Sequence, residues 1–375
     1  MSHQLAVPKE ADGLDASHKV SKAIRVSSVL QTTQTAKQPP GSLDLKAEEG
    51  ARKNVQGFTA SANAEFLQDV LDGLSRDQKT LPCKYFYDAR GSELFEAICK
   101  LDEYYVTRAE KALLADMAPS LRNHLPSPLH IIEPGSGSGE KVRYLIDALD
   151  VAAFSPLEIS ASALEESAKA LRQAYPELSI FPVQGDFTNS DTLRKASQQL
   201  EARSQQLTRL VFFPGSTIGN FSRDEAIAVL KNLATLMGPE GKLLVGIDLI
   251  KNEERLISAY DDSQGITAAF NKNVLHRINR ELKSDFKPEQ NFMHRAIFNK
   301  QLNRIEMHLV AKNSHEATIA ERTFYFDQGE TIHTENSHKY SHASFAEMAL
   351  DAGLSELSFW SDQTCDIALI LLERA

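Results

Sequence analysis

From Leu129 onward, short apolar runs alternate with amphipathic stretches. "LHIIEP" (Leu129–Pro134), "SPLEIS" (Ser155–Ser160), "LSIFPVQGDF" (Leu178–Phe187), "RLVFF" (Arg209–Phe213) and "KLLVGIDL" (Lys242–Leu249) have strand length. Their consecutive apolar residues mark strands buried on both faces. Between them, Glu140–Leu149 and Ala163–Ala174 read as helices. Another helix starts at Ser222, with Asp224 and Glu225 in its first turn, where the helix dipole favours acids. Strands and helices in alternation predict a parallel sheet with helices on both faces. Near the end, a helix over Ser344–Ala352 leads to Gly353, a strand at Leu354–Phe359, a short turn and "DIALILLER" (Asp366–Arg374). Two strands that close must pair antiparallel, because a parallel crossover needs about a dozen residues or more.

The segment from Tyr260 to Tyr340 does not follow this plan. It predicts a helix over Thr267–Leu282 and strands at Arg295–Phe298, Arg304–Ala311 and Arg322–Phe326, an α+β insertion forming a lid or second lobe. Residues 1–55 are polar, with "QTTQTAKQPPGS" at their centre, and read as a disordered leader. Ser61 is placed to cap a helix whose apolar positions are Phe66, Leu67, Val70, Leu71 and Leu74. The expected organisation is therefore a leader (1–55), the first part of a substrate lobe (56–107), a Rossmann-like core (108–258), an inserted α+β lobe (259–340) and the end of the core (341–375). "TIHTENSHKY" (Thr331–Tyr340), polar throughout, can be a metal site, a surface loop or one wall of a site for a polar ligand.

Composition narrows the function. The chain has 375 residues, 42% of them hydrophobic, enough for a sizeable core. Its net charge of −10 argues against a nucleic-acid or anionic-membrane partner. Three scattered cysteines, Cys83, Cys99 and Cys365, form neither a disulfide framework nor a zinc set. With no apolar signal core and no membrane-length run, a cytoplasmic protein is expected.

Candidate chemistry gathers at strand ends. "EPGSGSG" (Glu133–Gly139), between a strand and a helix, sets bare backbone against a ligand at a helix N-terminus. Its G-x-G-x-G spacing, through Gly135 and Gly137, is not the G-x-G-x-x-G dinucleotide fingerprint, and a plain tight turn would also use these glycines. Glu158, about twenty residues on, can accept both ribose hydroxyls. Asp186 can accept from an adenine amino group, and Phe187 can pack on the ring. A solvated strand end is the bland reading of each acid alone. Taken in this order, the set suits S-adenosylmethionine better than NAD. "GSTIGN" (Gly215–Asn220) follows the fourth strand, where open α/β sheets bind ligands, although Asn220 could equally be a helix cap.

These residues carry a resemblance. The chain resembles the histidine-specific S-adenosylmethionine-dependent methyltransferases, which make Nα-trimethylhistidine (hercynine) on the way to ergothioneine. The likeness rests on "KYFYDARGSELFEAICKLDEYYVTRAE" (Lys84–Glu110), "EPGSGSGEK" (Glu133–Lys141), "FPGSTIGNF" (Phe213–Phe221), "AYDDSQGITAAFNKNVLHRINREL" (Ala259–Leu282), "RIEMHLVA" (Arg304–Ala311) and "IHTENSHKYS" (Ile332–Ser341). It implies a class I methyltransferase fold, a parallel sheet with an antiparallel edge hairpin plus an α+β substrate lobe. It also implies S-adenosyl-L-methionine as methyl donor acting on L-histidine, and a monomer is expected. By the same resemblance, Gly135, Gly137, Lys141, Glu158, Asp186 and Phe187 contact the cofactor. Tyr87, Tyr104, Gly215, Asn220 and Tyr260 hold the amino-acid amine and carboxylate, Tyr87 and Asn220 acting in catalysis. Met307, Glu335 and Ser337 read the imidazole. The family often has Asp where Glu158 stands. Without the resemblance, Met307 and the tyrosines could be ordinary core. His333, His338 and His342 lack a completing ligand set, so no metal is expected. Competing readings are methylation of another amine such as a tryptophan derivative, an NAD-dependent oxidoreductase, and an inactive cofactor-binding module.

Overall fold

Alternate residues of one strand feed two different cores. Leu210 and Phe212 join one buried apolar cluster, while Val211 and Phe213 join another on the opposite face. That is the arrangement a doubly covered sheet requires. The structure, a computed structural model, describes residues 63–364 and 366–375. The expected leader, the Ser61 cap and Cys365 lie outside the described residues.

The central sheet contains β2 (Leu129–Pro134), β3 (Val151–Glu158), β4 (Ser179–Ile180), β5 (Val183–Gln184), β6 (Thr208–Phe213), β7 (Lys242–Asp248), β13 (Leu354–Ser361) and β14 (Ile367–Arg374), in the order β13-β14-β7-β6-β2-β3-β4, with β5 also on β3. β2, β3, β4, β5, β6 and β7 run parallel. β14 is antiparallel to β7, and β13 to β14, as the short connection demands. Helices α4 (Val142–Ala148), α5 (Ala161–Ala174), α6 (Ser190–Glu201), α7 (Arg223–Met237) and α11 (His342–Asp351) connect these strands. α7 starts at a Ser222/Glu225 capping box. The third predicted strand is interrupted: Pro182, which has no N–H to donate, divides it into β4 and β5.

A second sheet has the order β1-β12-β9-β8, from β1 (Lys79–Thr80), β8 (Phe292–Asn299), β9 (Arg304–Ala311) and β12 (Thr331–His338). α1 (residues 63–74), α2 (Ala89–Ile98), α8 (Glu253–Tyr260), α9 (Ile266–Leu282) and the short α10 (Pro288–Asn291) complete this part, with the hairpin β10 (His315–Ile319) and β11 (Arg322–Phe326), whereas α3 (Tyr105–Met117) packs on the central sheet against β13 and β14. The polar stretch Thr331–His338 is thus no loop. It is an interior strand, parallel to β1 and antiparallel to β9. The two sheets meet where β7 and β12 end: Leu249 bridges Tyr340, and the Tyr340 N–H donates to the Asp248 carbonyl at 2.9 Å. Among the described residues, no helix is long and apolar enough to cross a membrane.

Candidate active site

The glycine loop leaves β2 with Gly135, Gly137 and Gly139 all at positive φ, where a side chain would be strained. A Cβ on Gly135 would touch the Phe187 ring at 3.3 Å, whereas one on Gly137 would meet nothing within 4 Å. Glu158, at the tip of β3, reaches back so that Oε2 accepts from the Gly137 N–H at 3.2 Å. Its Oε1 accepts from the Ile159 N–H at 2.9 Å and the Ser160 N–H at 3.1 Å. Ile159 beside it is an exposed apolar side chain. Asp186 spends one oxygen on Thr188, accepting from its N–H (2.8 Å) and hydroxyl (2.6 Å).

The fourth-strand loop lies against this one. Ser216 takes a left-handed conformation, and its hydroxyl accepts from the Asp248 N–H at 2.9 Å. Gly215, φ +82°, donates its N–H to Glu110 Oε1 at 2.7 Å. Glu110 Oε2 pairs with Lys141 Nζ at 2.6 Å. Lys141 is thereby set beside Gly215, whose absent Cβ would lie 3.1 Å from its ammonium. Asn220 ends the 3-10 turn Thr217–Asn220 and is half-buried. Phe187 packs edge-on against Phe213 (5.3 Å) and Phe221 (6.3 Å), which joins the cofactor-side residues to those around Asn220.

Next comes an aromatic wall. Tyr87 meets Phe95 and Phe270 edge-on, each at 5.6 Å, and Tyr104 meets Tyr260 at 6.0 Å. Burial, then the neighbouring Glu335, drives the Tyr87 phenol well above its ordinary value, so it stays protonated. Burial and Tyr260 do the same to Tyr104.

The last wall is β12. A register shift between His333 and Glu335 puts Glu335 opposite Met307 and Ser337 opposite Ile305. Met307 and Ile305 both face the apolar core. Met307 is 2% exposed and serves as core and as wall at once. Glu335 Oε2 is shielded from solvent and has no partner among the described residues. Ser337 Oγ lies 2.7 Å from the Tyr260 hydroxyl, so a residue assigned to the carboxylate end touches one assigned to the imidazole end. The Thr217–Asn220 turn packs directly on this strand: a Cβ on Gly219 would come within 2.8 Å of the His338 carbonyl.

Burial pushes the Glu335 carboxyl up to about 7, attraction to Lys339 opposing it only in part. A group raised on folding favours the folded state below its unfolded value, and that benefit is lost as pH rises through the folded value. The ligand-free protein should therefore lose stability between about pH 4.5 and 7 on account of Glu335. Glu335→Gln should match the wild-type Tm near pH 5 and exceed it by a few degrees at pH 8. Thermal unfolding across that range checks this; parallel curves for the two proteins would refute it.

Several residues escaped the sequence reading. Glu110 and Lys339 stood within the quoted stretches without a role. Glu133 is 2% exposed, and its Oε2 has no partner among the described residues. Burial holds its carboxyl well above the ordinary range, with Lys141 opposing. Asp248, fully buried, accepts from the Tyr105 hydroxyl at 2.8 Å and pairs with Lys251 and with Lys339, the latter at 2.7 Å. The available signal was a charged residue inside an apolar strand, as in "LHIIEP" and "KLLVGIDL". Glu306, His308 and His333 also come together, with donor atoms within 4.8 Å of one another. However, the two imidazoles are stacked at 4.7 Å and 21°, so their in-plane lone pairs run nearly parallel and do not converge on one ion. Glu306 Oε1 is already taken by Arg304 and Asn299. His342 lies apart, paired with Glu356.

A parallel sheet ending in an antiparallel hairpin, with a glycine loop after its first strand, defines a class I S-adenosylmethionine-dependent methyltransferase. The chain belongs to the family described as "Histidine-specific methyltransferase, SAM-dependent", whose profile matches residues 66–374. It is 39% identical to the Histidine N-alpha-methyltransferase of Mycobacterium tuberculosis, over 82% of this chain and 94% of that protein. It is 28% identical to Ergothioneine biosynthesis protein 1 of Neurospora crassa, over 76% of this chain and 32% of that protein. It is also 26% identical to the 4-dimethylallyltryptophan N-methyltransferase easF of Epichloe festucae var. lolii, over 81% and 93% respectively.

Proposed function

We propose that this enzyme transfers methyl groups from S-adenosylmethionine to the α-amine of L-histidine, in steps, to give Nα,Nα,Nα-trimethylhistidine, the first step of ergothioneine biosynthesis. The observation that carries the reading is the shielded Glu335 oxygen, unpartnered among the described residues, on the same face of the sheet as Ser337 of β12 and Met307 of the neighbouring β9. A buried acceptor without a donor calls for a ligand that brings one. An imidazole brings an N–H for Glu335 and a bare nitrogen for Ser337. An indole has one N–H and no acceptor, which disfavours a tryptophan-derived amine. We read the protein as a cytoplasmic monomer with these two small molecules as its partners.

The residues present fit the methyl donor. Bare backbone at Gly135 and Gly137, the Glu158 carboxylate and the Phe187 ring suit a ribosyl adenine, and the unpartnered Glu133 oxygen suits the ammonium of its amino-acid end. When bound, S-adenosylmethionine supplies an electrophilic methyl on a sulfonium. The protein's task is to hold a neutral amine in line with that bond, and geometry of this kind can lower a barrier by about 7–11 kcal/mol. Asn220 and Tyr104 orient the amino-acid end. Tyr87 remains a phenol, so its role is to accept a hydrogen bond from the amine and align its lone pair. The proton leaves to solvent. As methyl groups accumulate, the aromatic wall of Tyr87, Tyr104 and Tyr260 suits the growing cation.

The direct test is incubation with L-histidine and S-adenosylmethionine, read by mass spectrometry. Successive increments of one methyl are expected, ending at the quaternary amine; unmodified histidine after long incubation would refute the reading. Glu158→Ala should weaken S-adenosylmethionine binding about 10- to 100-fold, the worth of one hydrogen bond to a charged group. Calorimetry showing an unchanged Kd would remove Glu158 from the ribose site.

A further inference from the structure

Glu335, Ser337 and Lys339 occupy one face of β12 and its extension, at every second position. Lys339 is the least expected of the three, an ammonium whose side chain is completely buried. All three of its N–H donors are used: to Asp248 Oδ2 at 2.7 Å, to Ser337 Oγ at 2.7 Å and to the Tyr260 hydroxyl at 3.1 Å. It also lies over the Tyr260 ring, 4.6 Å from the centroid.

An ammonium donates and never accepts. It therefore fills a lone pair on Ser337 and one on Tyr260. The two hydroxyls, 2.7 Å apart, share one hydrogen between them. The phenol is the more acidic and therefore the better donor, so Tyr260 donates to Ser337. Both Ser337 lone pairs are then occupied, by Lys339 and by Tyr260, and only its O–H is left to face a ligand. Two residues away, Glu335 offers an acceptor and no donor when ionised. A ring N–H bound at Glu335 stabilises its ionised form, so with substrate in place the pair of side chains has a fixed polarity, donor at Ser337 and acceptor at Glu335.

We infer that Lys339 is a positioning residue that makes the enzyme bind its substrate ring as neutral imidazole in one tautomer, N–H toward Glu335 and bare nitrogen toward Ser337. This rests on the histidine reading above. An imidazolium would turn a second N–H against the Ser337 hydroxyl proton and place a cation near the buried ammonium. The charged and titratable groups around Lys339 are Asp248 from β7, Lys251 just beyond it, Tyr105 from α3, Tyr260 from α8 and Glu335 from β12. On the opposite face of the sheet, His338 also feels Lys339, and burial pushes it down to about 4. Lys251 and Tyr105 still hold Asp248 if Lys339 is removed.

The experiment uses L-histidine labelled with ¹⁵N in its ring, bound to the full-length enzyme with S-adenosylhomocysteine and followed by NMR from pH 5 to 8. At pH 6, below the free ring's midpoint of about 6.5, the bound ring should give the two separated nitrogen signals of a single neutral tautomer. In Lys339→Met, Ser337 regains a lone pair and Glu335 loses its competing cation. The midpoint of the bound ring should rise by about one unit, and Kd at pH 8 should weaken about tenfold. Loss of a merely structural contact would weaken binding without moving that midpoint. A wild-type ring bound as imidazolium at pH 6, or a midpoint unmoved by Lys339→Met, would overturn the inference. The wild-type measurement decides even if the variant does not fold. Absence of any bound histidine signal would instead sink the histidine reading itself.

Discussion

Glu335→Ala should raise KM for L-histidine at least 100-fold while the Kd for S-adenosylmethionine stays within about twofold. Glu335 is far from the glycine loop in the chain, its Oε2 has no partner among the described residues, and its charge acts on Tyr87 of the aromatic wall. Alanine leaves the ring's N–H without an acceptor in a place shielded from water. A hydrogen bond to a charged group is worth about 1.5–3 kcal/mol, and an unpaired buried donor adds a similar cost. The sum reaches two to four orders of magnitude, the range in which sites built on hydrogen bonds reject analogues. Initial-rate kinetics with histidine, alongside calorimetry with the methyl donor alone, separate the two effects. An unchanged KM would take Glu335 out of the substrate site; a parallel loss of donor affinity would mean general collapse.

Gly219→Ala should lower kcat roughly 100-fold with a much smaller change in either binding constant. The position is not at positive φ, so backbone strain is not the reason. The new methyl would sit 2.8 Å from the His338 carbonyl and 3.2 Å from its nitrogen. Both are backbone atoms of β12, which is paired with β9 at this end and tied beyond it by the Lys339 N–H to the Asn303 carbonyl and the Tyr340 N–H to the Asp248 carbonyl, so it cannot give way cheaply. The turn carrying Asn220 must then move relative to the strand carrying Glu335 and Ser337. A misplacement of about 1 Å between reacting groups costs on the order of 100-fold in rate. Single-turnover measurements at saturating histidine and donor test this. A normal rate would show that the turn and the strand do not jointly set the attack geometry.

How much of this was legible beforehand differs between the two sheets. The central sheet could be read because each strand is a run of apolar residues with both faces buried, and because the short connection before "DIALILLER" permits only antiparallel pairing. Its candidate site residues could be read from position, since Glu158 ends β3 and Gly135, Asp186 and Asn220 lie in the segments that follow strands. β12 was harder. Glu335, Ser337 and Lys339 point inward, where apolar side chains would normally show the strand, so periodicity gave no signal. Only the resemblance attached Glu335 and Ser337 to a site. Lys339 and Asp248 escaped because a buried ion pair has no local pattern; its partners are 91 residues apart in the chain. Glu110 escaped for the same reason: it acts on Gly215, across 105 residues. Pro182 interrupts the third strand without breaking its apolar pattern, so periodicity alone reads through the break.

The register shift in β12 lets one strand run in two phases. Upstream of it, Ile332 faces the apolar core opposite Leu309; an unbroken alternation from there would have turned Asn336 and His338 inward and sent Glu335 and Ser337 out. The offset separates scaffold from recognition within eight residues. On the proposed reading of Glu335 and Ser337, the half that anchors the sheet and the half that would meet the substrate can diverge independently, so a descendant of this enzyme could acquire a new substrate by rewriting a few downstream letters while its framework is inherited intact.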